Sequence, residues 1–217
     1  MKNFTWKWQD TLIVILGFLS LGYALVNYDR LPDQLPAQFS LTGKVNTYWS
    51  KGSVIALFSF IGLIFPLAIQ FIRNIDPKGE NYNKFQGAYK MGRLTIAVIC
   101  DAALVLSVSY GLDEHFAAAK WATVSVGLLL AVIGNFLPQI RDNYFTGIRT
   151  PWTLHNPAVW RRTHRFSGRM WVSGGLLIAL AAFMPVMLSI SMIITALVIM
   201  IIVPIVYSWL ISRSVKV

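Results

Sequence analysis

Apolar positions in this chain come in long unbroken blocks, with neither the alternation of a half-buried strand nor the one-sided stripe of a surface helix. The first block runs from Thr11 to Asn27. Others cover about Ser53 to Ile72, Leu94 to Leu112, Trp121 to Ile140, Met170 to Leu188 and Met192 to Ile211. Each approaches the ~20 residues that a helix needs to cross a bilayer core. Lipid offers no hydrogen-bonding partners, so such blocks must satisfy their backbone groups internally, as helices do. The pattern predicts an all-α, polytopic membrane protein with six transmembrane helices. A cleaved signal peptide is the competing reading of the first block, but that block ends in VNYDRLP, with no small-residue cleavage site, and is kept as a span. Pro185, near the end of the fifth block, and Pro204, inside the sixth, each remove a backbone donor and predict local bends.

Composition agrees with the pattern. Hydrophobic residues make up 56% of the 217 and charged ones only 13%, where soluble chains carry about a quarter charged. The net charge of +10 lies at the ends of the apolar blocks, which points to membrane topology rather than nucleic acid. With the N-terminus placed inside, fifteen Lys/Arg fall on the inner side and four, Arg30, Lys44, Lys51 and Lys120, on the outer. This bias predicts both termini cytoplasmic in a plasma membrane. Trp6, Trp8, Tyr48, Trp49, Trp121, Trp171 and Trp209 sit near block ends, as headgroup-level anchors do. The lone Cys100 excludes an internal disulfide and a thiol zinc site.

The longest well-populated polar stretch in the hydrocarbon is GNFLPQIRDNYFTGIRTPWTLHNPAVWRRTHRFSGR, Gly134 to Arg169, with six arginines against the single acid Asp142. Its GN-x-LP-x-x-R-x-NYF-x-GIRTPWTL and VWRRTHR-x-x-GR runs resemble the C-terminal signature of the SdpI family of bacterial membrane proteins, named for an immunity protein against a secreted peptide toxin. The expected organisation is a membrane hairpin over residues 1–93, with an ordered outer loop at 28–52, and a four-helix SdpI-like region over 94–217, with a cytoplasmic signature loop at 138–169. The outer loop, YDRLPDQLPAQFSLTGKVNTYWSKG, is also similar to an LP-x-x-(I/L)P-x-HF-x-x-x-G segment often joined to that signature. Gln38 stands here where that pattern has His.

Several groups carry candidate chemistry. In the outer loop Pro32 and Pro36 favour extended backbone and Gly43 permits a tight turn, so Pro32, Pro36, Phe39, Gly43 and Trp49 form a candidate recognition surface. At the inner edge, Thr150-Pro151 and Asn156-Pro157 each set a capping side chain before a proline suited to the first helical position. Beyond them Trp160 and His164 share one helix face and Arg161 and Arg165 the next. With Arg162 these make a candidate docking surface for a cytoplasmic protein, lipid anchoring of the arginines being the plainer reading. Asp101 is the one charged-type residue well inside an expected span, where an ionised Asp costs roughly 2.5 to 3.5 kcal/mol. It is expected to join Asn135 in a polar network or ligand site above the signature, with Arg141, Asn143, Arg149, Thr150 and Trp152 nearby. His155 and His164 are the only inner histidines, and no Cys or spaced carboxylate joins them, so no metal or cofactor is expected.

No nucleophile elbow, phosphate-binding glycine loop or HExxH motif is present, and the chain is not expected to be an enzyme. The resemblance implies immunity to a membrane-active peptide toxin, with that peptide and membrane lipid as partners. It further implies a cytoplasmic repressor protein held at the membrane for signalling. A small proton-coupled exporter using Asp101, and an accessory subunit of a membrane complex, are the alternatives.

Overall fold

The computed structural model describes residues 6–214, the Arg73 side chain apart; Lys2 and Lys216, counted in the charge bias, lie outside the described residues. All six apolar blocks are helical. Helix α1 covers Trp8–Val26. A short antiparallel hairpin follows, β1 Gln34–Phe39 and β2 Val45–Ser50. The second block is composite: α2 Lys51–Ser59, a π turn at Phe60–Ile64, then α3 Phe65–Ile69. Pro66 has no N–H for the carbonyl four residues back, and the chain widens so that the Phe65 N–H donates to the Phe60 carbonyl instead. The remaining helices are α4 Gln86–Leu112, α5 Ala118–Phe136, the single turn α6 Pro151–His155, α7 Pro157–Ala181 and α8 Val186–Ser214.

Five of these segments are long and apolar enough to cross a membrane; α7 is as long, but four arginines in its first half lower its hydropathy. The sixth expected span therefore rests on the second half of α7 alone. Pro185 lies in the break between α7 and α8 and bends neither, whereas Pro204 is inside α8. The expected boundary at residues 93 and 94 falls within the unbroken α4, which packs on both α1 and α5.

Two features hold the bundle. The hairpin is not a floating loop: Leu31 and Leu35 are buried with Ala24, Val54, Ile55, Leu104 and Val108. The Ser107 hydroxyl donates to the Pro36 carbonyl at 2.7 Å, and Gly43 closes the turn with φ +86°, a conformation that glycine adopts without strain. The second feature is a backbone-to-backbone seam between α5 and α7. A Cβ on Gly127 would lie 2.6 Å from the Gly175 carbonyl oxygen, and one on Gly175 would lie 2.5 Å from that of Gly127. In lipid, helices associate by such close packing, since apolar burial gains nothing there. The start of α1, the start of α4 and the end of α8 all lie at the end of the bundle that carries the signature loop, opposite the hairpin.

Candidate functional site

At the signature end, two polar segments fold onto one another. Asn143 is fully buried and uses its whole amide. Its Oδ1 accepts from the backbone N–H groups of Phe145 and Thr146, at 2.9 and 2.6 Å, and its Nδ2 donates to the carbonyls of Arg141 and Thr146. Asp76, from the segment between α3 and α4, accepts from the Tyr82 hydroxyl and from the Tyr144 N–H. Lys78 bridges to Asp142 at 2.9 Å, and Asn81 donates to the Asp142 carbonyl. Burial, with Asp76 next in effect, holds the Tyr82 phenol well above its usual range. The loop 140–150 is thus clamped to residues 76–82, none of which the sequence singled out.

His164 is the other fixed point. It is fully buried, stacks on Trp160 with ring centroids 4.2 Å apart, and accepts at Nε2 from the Ile148 N–H at 2.9 Å. Its Nδ1 faces the Trp160 carbonyl at 2.9 Å. This pairing assigns the proton to Nδ1 and leaves the ring neutral. Gly147 makes the approach possible: its φ is +105°, and a Cβ there would meet Nε2 at 2.4 Å. Trp160 and His164 do share a face, but that face points inward, with Trp160 Nε1 donating to the Ile140 carbonyl. As a surface docking element the pair is therefore withdrawn; Arg161, Arg162 and Arg165 remain exposed.

Burial pulls the His164 pKa from 6.5 down to about 4, against the opposing pull of the Trp160 carbonyl. The unfolded chain takes up the proton near its ordinary pKa, while the folded chain resists until about 4. Stability is therefore lost as pH falls through that window, by up to about 3 kcal/mol. Thermal unfolding of the detergent-solubilised protein should show a lower midpoint at about pH 5 than at about pH 7. His164→Asn should be less stable at the higher pH and lose most of the difference. An equal pH response in wild type and variant would assign the effect to other groups.

The two expected caps are both in place. Thr150 accepts from the Thr153 N–H and lies 3.1 Å from the Ser208 hydroxyl of α8. Asn156 accepts from the Ala158 and Val159 N–H groups. Arg149 is exposed and donates to the Tyr144 carbonyl, Trp152 is half-buried and Arg141 is exposed.

Asp101 does not join this assembly. Its Oδ1 lies 2.8 Å from the Ser20 hydroxyl of α1, and Gly62 in the π turn leaves the room it occupies, since a Cβ there would sit 2.5 Å from Oδ1. The other carboxyl oxygen is buried without a partner. Asn135 is exposed on α5. The expected Asp101–Asn135 site is thus corrected. Depth along the helix was matched, but direction was not: Gly134 faces α7, and the next residue turns about 100° away. A second intramembrane polar pair was missed. Arg93 and Asp10, 3% and 1% exposed, meet at 2.6 Å, and Arg93 Nε also donates to the Pro66 carbonyl. A base near the start of one helix and an acid near the start of another running the same way was the available signal.

Two cavities lie where the N-terminal helices meet α5, α7 and α8. At the signature end a largely apolar cavity of about 310 Å³ is bounded by Tyr89, Arg93, Ile133, Ile148 and Trp171. At the hairpin end an open groove of about 370 Å³ runs beneath β1, between Phe58, Leu106, Ala122, Val126, Ile178 and Ile193. Of the outer-loop candidates, Pro36 and Phe39 line this groove. Gly43 lines an adjoining hollow with Glu114 and Lys120. Pro32, just before β1, and Trp49, on β2, are exposed.

Comparison with known proteins finds likeness in two parts of the chain. Residues 139–208 match the SdpI/YfhL protein family, and residues 15–63 match a domain of unknown function (DUF1648). The chain is 26% identical over 172 residues, 79% of its own length and 79% of the relative's, to the Immunity protein SdpI of Bacillus subtilis (strain 168). No solved structure matches it. The apolar helices and this likeness together make the chain a multi-pass cell-membrane protein whose residues 139–208 match the SdpI/YfhL family.

Proposed function

We propose that this chain is a membrane immunity protein that captures a membrane-active peptide at the hairpin end of the bundle. That end faces outward, six helices cross the membrane, and both termini lie inside. The observation that carries the reading is the groove beneath β1: apolar, open, and running from the hairpin down between the helices. A hydrophobic peptide arriving from outside would meet a preformed slot of the size and lining that ligand sites have. The likeness to the Immunity protein SdpI supports the same role.

Capture removes peptide from the bilayer before it can disrupt it, and it requires no proton traffic. Asp101 lines neither the groove nor the cavity at the other end. A susceptible bacterium expressing the protein should survive challenge with a secreted membrane-active peptide. Ala122→Trp, which fills the groove, should abolish survival at unchanged membrane level, and Asp101→Asn should retain it. Protection unaffected by Ala122→Trp would remove the groove from the mechanism. Loss in Asp101→Asn at normal level would favour the proton-coupled exporter.

A further inference from the structure

The first half of α7 carries Arg161, Arg162, Arg165 and Arg169, and all four line one cleft of about 390 Å³ together with Phe166 of α7 and Tyr207 of α8. Eight residues of helix separate the first and last of these arginines, about 12 Å along the axis. Like charges at such spacings destabilise a helix, so four guanidinium groups call for a counter-ion. Among the described residues none of the four arginines is in an ion pair, and no Asp or Glu follows Asp142 in the sequence. The one acid of the signature loop, Asp142, is engaged by Lys78 and Asn81.

The surroundings favour lipid as the source of the anion. Phe166 and Tyr207 stack at 4.2 Å, forming an aromatic wall to the cleft. On α8 the neighbouring Ile205, Val206 and Leu210 are exposed apolar residues, as a surface facing acyl chains would be. The cleft also sits where α7 passes from its cationic half into its apolar half, at headgroup depth in a spanning helix. Basic clefts at this level suit multiply charged phosphate headgroups, and planar guanidinium forks bind phosphate oxygens in pairs.

We infer that the α7–α8 cleft is a binding site for an anionic phospholipid whose headgroup carries two phosphates, held by Arg161, Arg162, Arg165 and Arg169 with its acyl chains along α8. The site stands independently of the groove at the other end of the bundle.

The test is native mass spectrometry of the full chain in detergent, titrated with cardiolipin, phosphatidylglycerol or inorganic pyrophosphate. The cleft triple variant Arg161→Gln/Arg165→Gln/Arg169→Gln is compared with a charge-matched control, Lys84→Gln/Arg141→Gln/Arg213→Gln, outside the cleft. Cardiolipin adducts should exceed phosphatidylglycerol adducts, fall about a hundredfold in the cleft variant and persist in the control. Thermal shift of the same samples provides a second reading, with cardiolipin raising the midpoint of wild type and control only. Equal losses in both triple variants would reduce the effect to general charge and overturn the site. Pyrophosphate binding as well as cardiolipin would make it a soluble-anion site. Undiminished cardiolipin binding by the cleft variant, with loss of a cross-linked cytoplasmic protein instead, would make it a protein-docking surface.

Discussion

Replacing Arg93 with Met is expected to cost about 3 to 5 kcal/mol of stability, enough to deplete the protein from the membrane. Its guanidinium pairs with Asp10 at 2.6 Å and also caps the Pro66 carbonyl, with both charged side chains shut away from solvent. Removing the cation leaves a buried carboxylate with no compensating charge. That residual penalty dominates the loss, because the pair's own net contribution after desolvation is small. The double variant Asp10→Asn/Arg93→Met should therefore recover much of the yield and thermal midpoint lost in Arg93→Met alone. Asn is the right partner change, since Asp10 also accepts from the Lys7 N–H at the start of α1, and an amide oxygen can keep that bond. Wild-type stability in Arg93→Met would show that the pair is not insulated from water. A double variant no better than the single would locate the cost in the lost Pro66 contact.

Gly175→Leu should be at least as damaging, for a steric reason. A Cβ at Gly175 would lie 2.4 Å from the Ala131 nitrogen and 2.5 Å from the Gly127 carbonyl oxygen. Both are backbone atoms, so no rotamer change relieves the clash and the two helices must separate. Overpacked cores lose about 1 to 3 kcal/mol, and a seam between backbones belongs at or beyond the upper end of that range. Loss of folded protein on size-exclusion chromatography in detergent is the expected result. Gly22→Leu is the matched control, because nothing lies within 4 Å of the Cβ position there. If Gly175→Leu behaved like Gly22→Leu, α5 and α7 would not be in contact along this seam.

Both substitutions test features that composition did not reveal, although much else was legible. The apolar blocks set the helices, because length and hydropathy are properties of a segment by itself. Thr150 and Asn156 were readable as caps for the same reason: each bonds to N–H groups two or three residues along. The longest polar stretch, between residues 134 and 169, overlaps the part of the chain that matches the SdpI/YfhL family, since its run of residue types is legible without packing.

What the sequence left open was rotation and long-range pairing. Asp101 and Asn135 were matched in depth, yet packing turned the first toward Ser20 and the second outward. Trp160 and His164 were placed on one face, but only the fold of residues 140–148 around them decided that the face is interior. The hairpin was expected as an ordered loop with a turn at Gly43, while the strand pairing and the groove beneath it needed α4, α5 and α8 in position. Sequence alone thus determined which segments are helical, where they are capped and which stretch is polar, since those depend on neighbours a few residues away. Tertiary structure alone decided which polar groups meet, because the azimuth of a helix is fixed by close packing with partners far along the chain, as at Gly127 and Gly175.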